Sequence, residues 1–133
     1  MKVFVDSNVP MYVAGSEHPN KRPATAFLHA VRSGKYEAYA STEVLQEILY
    51  RYCALNRREV ADRVYSLFVE LCTEVYPVTL ADTDAAKRLL TKHRRLGARD
   101  AIHAAVMHNR GIRAIATFDK DFDEAPGIQR LSL

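Results

Sequence analysis

The sequence predicts a three-layer α/β/α sandwich with a central parallel sheet of four to five strands. Three observations support this. Short β-branched runs alternate with longer segments of helical apolar period along the 133 residues, and strands separated by helices require right-handed crossovers and a parallel sheet covered on both faces. The composition, 48% hydrophobic with five Gly and five Pro, describes a chain that folds as one domain over residues 1–133 and is neither disordered nor fibrous. No internal repeat or linker-like stretch interrupts the alternation.

Lys2 to Val5 reads as a strand ending at Asp6, and Pro10 suits the first turn of the helix that follows. Lys21 to Arg32 is helical and stops at Ser33-Gly34. Glu37 to Ala40 forms the second strand, and Ser41-Thr42 supply caps for a helix running to about Asn56. Val60, Val64, Leu67, Phe68 and Leu71 recur at helical spacing, and Val75 to Val78 is the third strand. Asp82 or Thr83 starts the next helix. Its basic end, Lys92-His93-Arg94-Arg95, complements the helix dipole, and Gly97 is placed as a left-handed terminator. Arg99 to Asn109 is a short Ala-rich helix, Arg113 to Thr117 the fourth strand and Ile128 to Leu131 a fifth at the edge.

A net charge of +3 permits a polyanionic partner without demanding one. Cys53 and Cys72 lack any Cys-x-x-Cys spacing, so the expectation is buried free thiols in a reducing compartment, with neither a zinc site nor a disulfide framework. The apolar run at the N-terminus is too short for a secretion signal, and no stretch approaches the roughly 20 apolar residues of a membrane span. A cytoplasmic protein that makes no membrane contact is expected.

In open α/β sheets, ligands bind outside the carboxyl ends of the strands, where strand order reverses. Two acids meet that rule: Asp6 follows the first strand, and Asp119 follows the fourth within Thr117-Phe118-Asp119-Lys120-Asp121. Glu47 falls beside the edge of the buried stripe formed by Val44, Leu45, Ile48, Leu49 and Tyr52, at about 100° per residue, whereas Glu43 points away into solvent. Asp100 opens a helix whose alanines permit close packing against the sheet. Each acid has an ordinary structural role open to it, as a cap, turn or surface residue. Gathered in one crevice they would repel, and the remedies are shared protons, basic partners or a divalent cation. Oxygen ligands favour Mg²⁺ or Mn²⁺, and such a cation serves phosphodiester hydrolysis by activating water and neutralising phosphoryl charge.

This combination, Asp6-Ser7-Asn8, Glu47, Asp100-Ala101 and Thr117-x-Asp119-x-Asp121-Phe122, resembles the PIN-domain nucleases across the whole chain, and most of all the VapC toxins of type II toxin-antitoxin pairs. The resemblance implies a Rossmann-like PIN fold and a Mg²⁺- or Mn²⁺-dependent endoribonuclease, dimeric and silenced by a cognate antitoxin. It also implies that Asp6, Glu47, Asp100 and Asp119 form the acidic quartet, with Asp121 a further acid. Either Asp119 or Asp121 touches metal directly. Asn8 and Thr117 match positions that orient the acids or water.

Three residues near these acids are candidates for RNA contact. Arg51 lies one turn after Glu47, where an ion pair is the simpler role, and Arg95 and Arg99 belong to the basic run before Asp100. His103 and His108, five apart, have the wrong spacing to share a metal on one helical face and read as structural. Tyr50, Tyr52, Tyr65 and Phe68 read chiefly as core. Other functions fit less well. A haloacid-dehalogenase-like phosphatase wants Asp-x-Asp where this chain has Asp6-Ser7-Asn8. A receiver-like Mg²⁺-binding module wants an acceptor Asp after the third strand, where Thr79-Leu80-Ala81 stands. A non-catalytic interaction protein of the same fold is the remaining alternative.

Overall fold

The computed structural model describes residues 1–133. Five parallel strands lie in the order β3-β2-β1-β4-β5: β1 Lys2–Val5, β2 Glu37–Ser41, β3 Glu74–Tyr76, β4 Ala114–Ala116 and β5 Gln129–Arg130. Their connections hold α1 Asn8–Ala14, α2 Lys21–Arg32, α3 Thr42–Ala54, α4 Arg58–Leu71, α5 Leu80–Lys92 and α6 Ala98–Arg110. A 3₁₀ helix, Lys120–Glu124, follows β4. β1 sits at the centre, with Phe4 beside Tyr39 on one side and Ile115 on the other. The order reverses between β1 and β4, so the segments following these two strands flank one crevice.

Val3, Phe4 and Val5 are fully buried, as a strand covered on both faces requires. Ala101, Ala104 and Ala105 are also fully buried, and these small side chains let α6 pack closely against α5 and the segment around Ala125. That close approach fixes the N-terminal turn of α6, and Asp100 with it, at the crevice.

Several boundaries differ from expectation for identifiable reasons. α5 begins at Leu80, not at Asp82 or Thr83: Thr79 is its cap, and Asp82 completes a capping box three residues in. Gly97 is not a left-handed terminator. Its φ of −78° and ψ of 170° make it the extended N-cap of α6, while α5 closes at His93. The left-handed glycine is Gly111, φ 69°, which ends α6. α3 stops at Ala54 because Asn56 turns left-handed, φ 56°. β3 ends at Tyr76, before Pro77, which has no N–H to donate to a ladder. Leu67 is 61% exposed, outside the core its helical spacing suggested, and Leu49 and Tyr50 are likewise exposed, so the buried stripe of α3 is Val44, Leu45, Ile48 and Tyr52. Cys53 is exposed and Cys72 half-buried, so the expectation of two buried thiols fails.

Candidate active site

Asp6 follows β1 directly, and its buried carboxylate is held by three donors. Oδ1 accepts from the Ser7 N–H at 2.7 Å; Oδ2 accepts from the Thr117 hydroxyl at 2.7 Å and the Asn8 amide at 3.3 Å. Thr117 Oγ1 is a hub, donating to Asp6 while accepting from Asn8 Nδ2 at 3.1 Å and from the Asp119 N–H at 3.0 Å. One hydroxyl therefore ties the end of β1 to the end of β4. Asp119 in turn caps the 3₁₀ helix, its Oδ1 accepting from the Asp121 N–H at 2.9 Å.

Glu47 enters from α3. Its Oε2 accepts from the Ser7 hydroxyl at 3.1 Å, and its Oε1 lies 2.6 Å from Nε2 of His103 on α6. Ser7 makes no side-chain cap for α1, because its hydroxyl is spent on Glu47. His103 is fully buried, packs against Phe4 and Phe122, and also lies 3.7 Å from Asp6 Oδ1. Its Nδ1 has no partner.

The electrostatics follow from burial and crowding. Burial pushes the Asp100 carboxyl up, and the neighbouring Asp119 and Asp6 carboxylates push it further, to about 7. Burial also raises Asp6, opposed by His103 and the Thr117 hydroxyl. For Glu47, burial is outweighed by the hydrogen bond and charge of His103, so its carboxyl is held below the usual range. For His103, burial is outweighed by the bond to Glu47 and the charge of Asp6, so the imidazole is held above its usual range. The two directions agree, and describe a carboxylate–imidazolium pair.

One oxygen from each of Asp100, Asp119 and Asp121 lies within 4.8 Å of the others, and so do single ligand atoms of Asp6, Glu47 and His103. The first set is all oxygen, of a kind that suits a hard divalent cation, which would offset the repulsion that raises Asp100. In the second, the imidazole is already engaged by Glu47. The residues present thus fit a divalent cation.

The structure brings Asp6, Glu47, Asp100, Asp119, Asp121, Asn8 and Thr117 together. The arginines divide. Arg99 sits 4.0 Å from Glu43, which is consequently half-buried and not simply solvated, and covers the Tyr50 ring at 5.1 Å. Arg51 is exposed beside Glu47 and forms no ion pair, contrary to its simpler expected role. Arg95 pairs with Glu124 at 3.3 Å and is 78% exposed. Ser7 and His103 were not foreseen as site residues. For His103 a signal existed: it follows Asp100 by three positions, so both occupy one face of α6.

The PIN domain family model matches residues 3–128. Ribonuclease VapC13 of Mycobacterium tuberculosis is 40% identical over 130 residues, 98% of this chain and 99% of that protein. Among solved structures, Mycobacterium tuberculosis VapC20, described as a sarcin-ricin loop cleaving toxin, superposes with a TM-score of 0.78 at 22% identity, covering 93% of this chain and 95% of that one. A toxin-antitoxin complex from Klebsiella pneumoniae gives a TM-score of 0.68 at 16% identity, covering 96% and 95%. With a family model matched along nearly its whole length and a relative of this identity, the chain belongs to the PIN-domain family, among the VapC ribonucleases.

Proposed function

We propose that this chain is a divalent-cation-dependent endoribonuclease that hydrolyses RNA phosphodiester bonds, and is the toxin of a toxin-antitoxin pair. The observation that carries the reading is the meeting of Asp6, Glu47, Asp100 and Asp119 at the strand-order reversal, crowded enough to raise Asp100 to about 7. The VapC name of the 40% identical relative supports the reaction, and the toxin-antitoxin complex among the structural neighbours supports an antitoxin partner. A homodimer acting in the cytoplasm completes the reading. No helix is long and apolar enough to cross a membrane.

Asp100, Asp119 and Asp121 would hold Mg²⁺ or Mn²⁺, with Asp6 on the buried side. When bound, the cation neutralises phosphoryl charge and acidifies water. Glu47, kept ionised by His103 and Ser7, orients the attacking water toward the scissile phosphate. Ser7, Asn8 and Thr117 fix the Asp6 carboxylate so that it does not reorganise during the reaction, and Thr117 also fixes the backbone at Asp119. Arg51, Arg95 and Arg99 meet phosphates on the approaching strand.

The test is cleavage of labelled structured and single-stranded RNAs by the purified protein, freed of any partner, in Mg²⁺, Mn²⁺ or EDTA. Cleavage in either cation, abolished by EDTA and by a folded Asp119→Asn variant, is expected. A folded protein that binds no cation and cuts none of a broad RNA panel would overturn the reading in favour of an interaction protein.

A further inference from the structure

Beside the acids lies a cleft of about 560 Å³ between α1, the turn after it, and α3, within the ~300–1,000 Å³ of small-ligand sites. Asn8 and Glu47 form the end that joins the carboxylates. Away from that end the lining changes character. Tyr12 and His18 pack with ring centres 4.6 Å apart and planes tilted by 31°, and Phe118, the neighbour of Asp119, meets Tyr12 edge to face at 5.2 Å and 82°. A continuous aromatic path thus leads from the cluster of acids into the cleft. Tyr50, also in the lining, is 52% exposed and carries the Arg99 guanidinium over one ring face at 5.1 Å.

The charges are unevenly committed. Of the three arginines that line the cleft, Arg99 has a carboxylate partner, Glu43 at 4.0 Å. Arg51 and Arg57 line the cleft without one; Glu17, the one further acid there, pairs with neither. Unpaired guanidiniums beside exposed rings suit a ligand with an anionic and a planar part. Arginine matches phosphate oxygens in a planar fork, and a tyrosine face takes any base whose own face is free. Bases inside a duplex have both faces covered.

From this we infer that the cleft is a nucleotide-binding subsite, taking one unpaired base on the Tyr50 face opposite Arg99, with an adjoining phosphate on Arg51 and Arg57. The inference rests on the ribonuclease reading and adds that the RNA is engaged through a splayed-out nucleotide next to the scissile bond.

The test measures binding of a short fluorescent single-stranded RNA in EDTA, where no cleavage occurs, for wild type and a Tyr50→Ala/Arg57→Ala double variant. Arg88→Ala, on α5, is a control of equal charge loss per arginine. Stacking lost from one base predicts affinity weakened about tenfold or more in the double variant. A Tyr50→Phe variant should bind as wild type, and Arg88→Ala should change affinity little. Wild-type affinity in the double variant, equal weakening by Arg88→Ala, or no binding by wild type would each overturn the subsite. KM for cleavage in Mn²⁺ separates the two readings. A protein that binds through the cleft but cuts no RNA loses the nuclease reading and keeps the subsite; one that cuts with unchanged KM in the double variant does the reverse.

Discussion

Asp100 carries the tension of the site, because its carboxyl is pushed from an ordinary 3.8 up to about 7 by burial, Asp119 and Asp6. Between those values the folded state binds more protons than the unfolded one. Without a cation, this group therefore makes stability fall as pH rises from about 4 to about 7. His103 acts in the same direction: its raised folded value gives stability that is present at low pH and lost as pH climbs through it. Asp100→Asn removes a repelling charge. In EDTA at pH 8 it should raise the melting temperature by about 3 °C, near 1 kcal/mol after discounting for solvent screening, and in Mg²⁺ or Mn²⁺ it should lower cleavage at least ~100-fold. Scanning fluorimetry beside the cleavage assay checks both halves.

His103→Leu should destabilise the fold by about 2 kcal/mol, since it strips Glu47 of its buried donor, and denaturant titration measures this. The acids at the ends of β1 and β4 were legible because topology sends those positions to one crevice, and Asp100 because the alanines that follow it let its helix pack closely. Glu47 was legible from its helical angle. His103 was obscured because an apolar face with one histidine ordinarily signals core packing, and only its pairing with Glu47, 56 positions away, gives it a role.

Elements are fastened to one another by polar staples that the linear pattern does not display. Asp82 on α5 is fully buried; it receives the Thr79 N–H at 2.9 Å, the Asn109 amide at 2.7 Å and the Arg110 guanidinium at 2.5 Å, joining the start of α5 to the end of α6. Burial alone would raise its carboxyl, but these donors outweigh it and hold it at about 2. The stability it contributes is complete above pH 4 and is lost as pH falls from about 4 through 2. Asp82→Ala should therefore cost on the order of 2 kcal/mol at pH 7, and its deficit relative to wild type should shrink below pH 3, read from urea midpoints at each pH. The sequence marks Asp82 as a helix-start residue; its partners in α6 depend on how the two helices align. Gly97 shows the same limit from the other side. A glycine between two helices suits either a terminator or a cap, and only the backbone angles at Gly97 and Gly111 assign the roles.

The whole molecule places all of this by one topological fact, the reversal of strand order between β1 and β4. That reversal was legible because two β-strand ends both deliver an aspartate, whereas β3 and β5, three and two residues long, are too short for their limits to be fixed by pattern. A net charge of +3 is too small to bind RNA by bulk attraction, so affinity depends on which arginines face the strand. With Arg51, Arg57, Arg95 and Arg99 on phosphates, log K should fall with log salt at a slope of about −3, becoming shallower by about 0.7 for each arginine removed. The dependence of anisotropy on salt measures it.

The central claim is that the crowded carboxylates exist to hold a divalent cation for phosphodiester hydrolysis. Calorimetric titration of Mn²⁺ into the metal-free protein at pH 6 and pH 8, beside the Asp100→Asn variant, tests it most directly. Saturable binding by wild type, tighter at pH 8 because Asp100 no longer holds its proton, and abolished in the variant, is the predicted result. A folded wild-type protein that takes up no Mn²⁺ at either pH, or binds it as well without the Asp100 carboxylate, would contradict the account.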